Sequence, residues 1–310
     1  MTPQFIAEVS SNHHQDLTRC FRFIDEAAQI GCDGVKFQLF KVEELFSPEV
    51  FIAKPETAKR KQWELPVHFL PDLAARCREK GIQFSATPFY LKAVEELYPH
   101  VDFYKIASYE LLWDDLLKAC AQTGKPVVLS TGMADMDEIN HAVAVIVSAL
   151  PAADALQTTD RQHLTLLHCI SGYPAPPEEC NLSAIQTLRE KFMPVIGDPS
   201  AGSSEIRIGW SDHSVNPGVI HRAVHRWGAE MIEFHLDLEG KGEEFNTGHC
   251  WLPEEIKKVI DTVKSGFRAD GSGIKVPAPS EQPDRDWRAD PVDGLRPLRA
   301  KRASLKTGDK

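Results

Sequence analysis

Several features that would place this chain in other classes are missing from it. No apolar run approaches the roughly 18 residues that span a bilayer, so no membrane segment is expected. No basic stretch precedes the first apolar segment, which follows Met1-Thr2-Pro3-Gln4 directly, so no secretory leader is expected. The seven cysteines, at 20, 32, 77, 120, 169, 180 and 250, are odd in number and form no Cys-x-x-Cys pair. That argues against a disulfide framework or a zinc knuckle and fits a reducing, cytoplasmic setting. Excess positive charge is absent too: 35 basic against 45 acidic residues leave −10, which speaks against non-specific nucleic-acid or anionic-membrane binding. No glycine-rich phosphate loop follows the first apolar run.

What the 310 residues do contain is a regular alternation of short apolar runs and amphipathic stretches. Strands are expected at 5–9, 35–38, 83–86, 103–106, 126–130, 164–169, 207–211 and 231–235. Helices are expected at 16–30, 67–80, 91–98, 113–122, 136–150, 182–191, 217–227 and 253–266. Asp16 is placed to cap the first helix and Gly31 to end it, and Asp135 with Glu138 makes a capping-box pattern. Eight strand–helix units in about this length predict an α/β fold, a (β/α)8 TIM barrel over 1–274, in preference to a doubly wound open sheet. The charged segment 41–65 is too long for a plain connection and is expected to be a functional loop or disordered. From Lys275 the composition shifts to five prolines and nine basic residues without apolar periodicity, so 275–310 reads as an extended tail. Its stretch around Trp287 suggests docking on the barrel or on a partner subunit.

In a barrel the carboxyl ends of the strands carry the chemistry. Nearly every predicted strand here delivers a polar group to that rim: Glu8, Lys36 and Gln38, Thr87, Lys105 with Ser108 and Glu110, Ser130-Thr131-Gly132, His168 with Ser171 and Tyr173, Ser211-Asp212-His213, then Glu233 and His235. An unpaired buried charge costs several kcal/mol, so so many of them imply a pocket for a multiply charged anion. Lys36 and Lys105, each inside an apolar strand, read as an anion clamp or, in competition, as a Schiff-base lysine. His213 and His235 end consecutive strands and are candidate ligands of one divalent metal. His221 and His225 share a helical face on the outer ring and are expected to be packed or solvated. His168 reads as a hydrogen-bonded strand histidine, and Cys169 as a small buried apolar residue.

Taken in order, these segments resemble the sialic acid synthase family. The resemblance rests on Ile6-Ala7-Glu8-Val9 with Asn12-His13, Gly34-Val35-Lys36-Phe37-Gln38, Ala86-Thr87-Pro88-Phe89 and Tyr104-Lys105-Ile106-Ala107-Ser108. It continues through Gly124-Lys125-Pro126 leading to Leu129-Ser130-Thr131-Gly132-Met133, Leu167-His168-Cys169, Tyr173-Pro174-Ala175-Pro176, Gly209-Trp210-Ser211-Asp212-His213 and Ile232-Glu233-Phe234-His235. It implies condensation of phosphoenolpyruvate with an N-acyl hexosamine aldehyde to a nonulosonic acid and phosphate, in a cytoplasmic homodimer. By resemblance, Lys36, Thr87, Lys105, Ser108, Ser171 and Ser211 hold phosphoenolpyruvate; His213 and His235 bind Mn²⁺ or Mg²⁺; Gln38, Glu110 and Tyr173 face the sugar. Glu8 is the first candidate base and Glu233 the second. Three departures stand out. Ser10 replaces a glycine usual in the family. Asn246 stands where an aspartate contacting the sugar is common. Typical members carry a C-terminal antifreeze-like domain that donates an arginine to the partner's sugar site; these 310 residues leave no room for it, and Arg288 or Arg296 of the tail is expected to supply that cation. The alternatives are a Schiff-base aldolase on the same barrel and a catalytically degenerate sugar-binding barrel.

Overall fold

Asp16 begins the first helix as expected: its Oδ1 accepts from the backbone N–H groups of Thr18 (2.8 Å) and Arg19 (3.3 Å), and Gly31, at φ +92°, terminates the helix in the left-handed region. The same logic, a short apolar strand followed by a capped amphipathic helix, repeats along the chain in a computed structural model that describes residues 2–151, 163–192 and 206–307. In order the elements are β1 (Gln4–Glu8), α1 (Leu17–Ile30), β2 (Gly34–Leu39), α2 (Val42–Leu45), α3 (Pro48–Ala53), α4 (Leu70–Lys80), β3 (Gln83–Pro88), α5 (Leu91–Leu97) and β4 (Phe103–Ile106). They continue with α6 (Asp114–Gln122), β5 (Val127–Ser130), α7 (Met136–Ala149), β6 (Leu164–Cys169), α8 (Ala184–Phe192), β7 (Ile206–Asp212), α9 (Pro217–His225) and β8 (Met231–Leu236). The last are α10 (Glu243–Asn246), β9 (Cys250–Trp251), α11 (Pro253–Ala269) and α12 (Arg299–Thr307).

The first eight strands are parallel, each pairs with its sequence neighbour, and β1 pairs with β8, which closes the sheet into the expected (β/α)8 barrel. The two-residue β9 adds to the end of β8, with His235 opposite Cys250. Residues Met1–Gly266 form one unit and Phe267–Lys310 another.

Side chains two apart on a strand share a face, and the barrel lumen shows what that does. Ile6, Phe103, Val128, Leu167 and Met231 form one buried apolar cluster. Gly34 and Gly209 leave it room: a Cβ on Gly34 would come within 3.0 Å of Ile6 Cδ1, and one on Gly209 within 2.6 Å of Leu167 Cδ2. Two residues further along the same strands stand Glu8, Lys36, Lys105, Ser130, Cys169, Ser211 and Glu233, all buried. An apolar floor therefore lies directly beneath a polar layer. Burying each large apolar side chain contributes roughly 1.5–3 kcal/mol, whereas each unpaired charge above would cost several kcal/mol; the polar layer must pair internally or bind something.

Segment 41–65 is ordered into α2, α3 and a 3-10 stretch at Pro55–Trp63. Its own contacts explain this. The Arg60 guanidinium lies over the rings of Phe46 (5.2 Å) and Trp63 (5.5 Å), and Gln15 Nε2 donates to the carbonyls of Lys61 and Glu64, both at 2.9 Å. The C-terminal unit contains a 3-10 stretch at Pro279–Trp287 and α12, and Arg302 of α12 makes a bidentate pair with Asp293 of the turn between them, both distances 2.8 Å. Residues 308–310 of the predicted tail lie outside the described residues.

Candidate active site

The polar layer is organised around two buried ion pairs. Register places Glu8 beside Lys36, and their side chains form one pair. Gln38, two residues on, donates Nε2 to Glu8 Oε1 at 2.7 Å and to Ser10 Oγ at 3.2 Å, while Lys36 Nζ donates to Thr87 Oγ1 at 3.2 Å. The second pair is Lys105 Nζ with Glu233 Oε1 at 3.4 Å; Ser211 Oγ donates to the same oxygen at 3.1 Å. Burial favours a neutral Lys36, yet the carboxylates of Glu233 and Glu8 outweigh it and hold the ammonium above its ordinary range. Lys105 is pushed the other way, by burial and by Lys36, against the pull of Glu233. Glu233 is itself buried, which favours the acid, but the two lysines and two histidines bring it down to about 2.

Beside these pairs, Ser108, Ser171 and Cys169 converge on Gly132. The Gly132 N–H donates to Ser108 Oγ at 2.9 Å, Ser108 Oγ lies 3.2 Å from Cys169 Sγ, and a Cβ at residue 132 would collide with all three side chains. Glycine is required here by close approach, and two hydroxyls and a backbone amide end up together, a suitable cradle for a phosphate. Cys169 is buried as expected, but within this cradle. Glu110 is buried with Oε2 lacking a hydrogen-bond partner, and burial pushes its carboxyl up to about 7 against the pull of Lys105.

The other wall is aromatic. The Tyr173 ring lies 4.2 Å from that of His213 and 5.0 Å from that of His249; His235 is 5.4 Å from His213 and 4.5 Å from His249. His213 Nδ1 donates to the Ile170 carbonyl at 2.7 Å, which leaves Nε2 as its free lone pair. Burial, reinforced by His235, pushes His213 down to about 3, so it is the neutral, ligating form. Glu244 of α10 approaches His235 Nδ1 (3.4 Å) and His249 Nε2 (3.8 Å), and Ser11 Oγ donates to its other oxygen at 3.1 Å. His168 is satisfied by the Cys180 carbonyl at 3.0 Å, and His221 stacks on His225 on α9, both as expected.

Of the candidates named from sequence, Glu8, Lys36, Gln38, Thr87, Lys105, Ser108, Glu110, Ser171, Tyr173, Ser211, His213, Glu233 and His235 thus occupy one rim or the loops leaving it. Asn246 is exposed at the end of α10; the side chain of that helix that meets the histidines is Glu244. Arg288 and Arg296 belong to the C-terminal unit, where Arg288 Nε donates to the Arg285 carbonyl at 2.7 Å. Sequence reasoning missed Glu244, His249 and Cys250. The adjacent His249-Cys250 pair was the available signal, but only the β8–β9 register shows that it returns to His235. Ser10 holds a left-handed backbone, φ +53°, a conformation that glycine adopts without strain.

The residues suit a divalent cation. Two ammonium groups face three buried or nearly buried carboxylates, Glu8, Glu233 and Glu244, so the fixed charges of an anion pocket sum to −1 before any anion arrives. His235 Nδ1 is also buried without a hydrogen-bond partner.

Comparison with known proteins agrees with this architecture. The NeuB family profile matches residues 23–275. This chain belongs to the NeuB family. It is 35% identical over 285 residues to an uncharacterized protein of Methanocaldococcus jannaschii, covering 90% of this chain and 76% of that one. It is 31% identical over 288 residues to the N,N'-diacetyllegionaminic acid synthase of Campylobacter jejuni, covering 89% and 80%. Among solved structures, the N-acetylneuraminic acid synthetase of Leptospira borgpetersenii in complex with citrate superposes with a TM-score of 0.73 at 32% identity, covering 91% of this chain and 90% of that one. Among the described residues no helix is long and apolar enough to cross a membrane.

Proposed function

We propose that this NeuB-family member condenses phosphoenolpyruvate with the open-chain aldehyde of an N-acyl hexosamine, giving a nonulosonic acid and inorganic phosphate. The observation that carries the reading is the ring of Lys36, Lys105, Glu8 and Glu233 set on an apolar floor beside the Ser108–Gly132–Ser171 cradle, in a family whose named relatives make acids of this class.

The two ends of phosphoenolpyruvate match the two halves of the basin. Ser108 and Ser171 donate to the phosphate, the Ser108 hydroxyl being oriented by the Gly132 N–H that it accepts, with Lys105 as its counter-charge; Lys36, Thr87 and Ser211 take the carboxylate. Gln38, Glu110 and Tyr173 border the space left for the sugar, with Asn246 at its outer edge and Arg288 or Arg296 supplying a further cation. As C3 of the enol bonds to the aldehyde carbon, C2 becomes electron-poor. Glu8, oriented by Gln38 and Lys36, removes a proton from the water that adds there, with Glu233 the second candidate. Collapse of the resulting tetrahedral carbon breaks the C2–O bond and expels phosphate. A divalent ion held by His213 and His235, Mn²⁺ or Mg²⁺ in type, supplies Lewis-acid polarisation of the aldehyde oxygen when bound. The reading includes a cytoplasmic homodimer.

One observation favours the aldolase alternative: Lys105 is the amine whose pKa burial lowers. The two readings part cleanly. Purified protein with phosphoenolpyruvate, Mn²⁺ and a panel of N-acyl hexosamines releases phosphate only when the right acceptor is present, and borohydride with a keto acid leaves no adduct on Lys105. No phosphate with any acceptor would sink the synthase reading; a borohydride-trapped Lys105 would establish the aldolase.

A further inference from the structure

His213 is not the only group in this basin whose donor atoms gather near His235. Single ligand atoms of His235, Glu244, His249 and Cys250 all lie within 4.8 Å of one another. Three elements create this grouping. His235 ends β8, Glu244 projects from α10, and β9 returns antecedent His249 and Cys250 to the side of His235 through the His235–Cys250 register.

Cys250 Sγ donates to the Glu244 backbone carbonyl at 3.8 Å, but the two imidazole–carboxylate spacings are loose for hydrogen bonds and suit an ion between them. His235 Nδ1 and His249 Nε2 stand 3.4 and 3.8 Å from Glu244 Oε1, at or beyond the outer limit of an N–H···O bond. Ligands about 2.1 Å from a tetrahedral ion stand roughly 3.4 Å apart. The rings are also held from behind, as metal-binding imidazoles are: His249 Nδ1 is 2.5 Å from Thr247 Oγ1, and Ser11 Oγ fixes the distal oxygen of Glu244 at 3.1 Å. His235 is nine-tenths buried, and its Nδ1 has no hydrogen-bond partner.

We propose that Glu244, His249 and Cys250 join His235 as ligands of the catalytic metal in this chain, so that two imidazoles, a carboxylate and a thiolate, formed as the Cys250 proton is released to solvent on binding, select a borderline transition-metal ion over Mg²⁺. The inference rests on the proposed synthase reading for the purpose of the ion, but not for its existence. Hard Mg²⁺ takes oxygen ligands and keeps its waters, whereas nitrogen and sulfur donors favour ions of the Zn²⁺, Co²⁺ and Fe²⁺ group. The His213 ring, its centroid 5.4 Å from that of His235, borders the set with Nδ1 engaged by the Ile170 carbonyl and Nε2 left as the lone pair.

The test reads the metal, with no substrate present. Wild-type protein loaded with Zn²⁺ is examined by X-ray absorption, where one sulfur neighbour at about 2.3 Å is expected; a shell of nitrogen and oxygen alone overturns the proposal without any variant having to fold. Loaded with Co²⁺, the wild type shows a near-ultraviolet thiolate charge-transfer band that a hundredfold excess of Mg²⁺ does not remove and that Cys250→Ser abolishes. Glu244→Gln and His249→Ala, checked for native circular dichroism, each weaken Co²⁺ binding by at least about tenfold, as loss of even an outer-shell partner does elsewhere. Affinity within twofold of wild type in both variants overturns the proposal, as does displacement of Co²⁺ by Mg²⁺. Phosphate release from phosphoenolpyruvate is scored separately. A protein that binds Co²⁺ through this set but releases no phosphate upholds the metal assignment and defeats the synthase reading, and the converse result does the reverse.

Discussion

Glu110 is a carboxylic acid held well above the ordinary carboxylate range by its surroundings. Burial moves its carboxyl from an ordinary value near 4.5 up to about 7, a shift that corresponds to roughly 3 kcal/mol. The sign follows from linkage. Below pH 4.5 folded and unfolded chains are both protonated there and nothing is lost. Between 4.5 and 7 the unfolded chain ionises first, so stability falls as pH rises, and above 7 the loss is complete. Glu110→Gln is therefore expected to be more stable than wild type by about 1–3 kcal/mol at pH 8 and within about 0.5 kcal/mol of it at pH 4, as measured by urea denaturation at the two pH values; equal pH dependence of the two proteins would contradict the raised pKa. At this scale the sequence was readable wherever a charge sat inside an apolar strand, as with Lys36 and Lys105, because burial of a bare charge is too costly to be accidental. It was unreadable for Glu244, His249 and Cys250, which lie in a polar stretch where acidic and imidazole side chains need no explanation.

Helix α1 shows what capping contributes to one element. The Asp16 carboxylate satisfies two backbone donors that water would otherwise have to serve. Asp16→Ala is expected to lower stability by about 1 kcal/mol without altering substrate affinity; thermal denaturation and the Michaelis constants check the two halves of that statement. Caps and the helix-ending Gly31 were legible because their chemistry is local, and the apolar runs between helices were legible by their alternation: 103–106 and 164–169 coincide with β4 and β6. Segment 41–65 was not legible. Its order comes from Arg60 between Phe46 and Trp63 and from Gln15 of the neighbouring loop, contacts that have no sequence period.

On the scale of the whole molecule, closure of the barrel was predictable by counting units, and β9 was not, since two residues carry too little pattern to be seen. The C-terminal unit enters the proposed reaction through its arginines. Replacing Arg288 and Arg296 by alanine, singly and together, is expected to raise the KM for the hexosamine several-fold while leaving that for phosphoenolpyruvate unchanged; steady-state kinetics with each substrate varied in turn decides it, and unaltered sugar KM in the double variant removes the arginines from the mechanism. The apolar floor of Ile6, Phe103, Val128, Leu167 and Met231 blocks the lumen directly below Glu8, Lys36, Lys105 and Glu233. In the proposed reaction, phosphoenolpyruvate seated against that plug is expected to load before the sugar, and initial-rate kinetics with each substrate varied against the other checks the sequence of arrival.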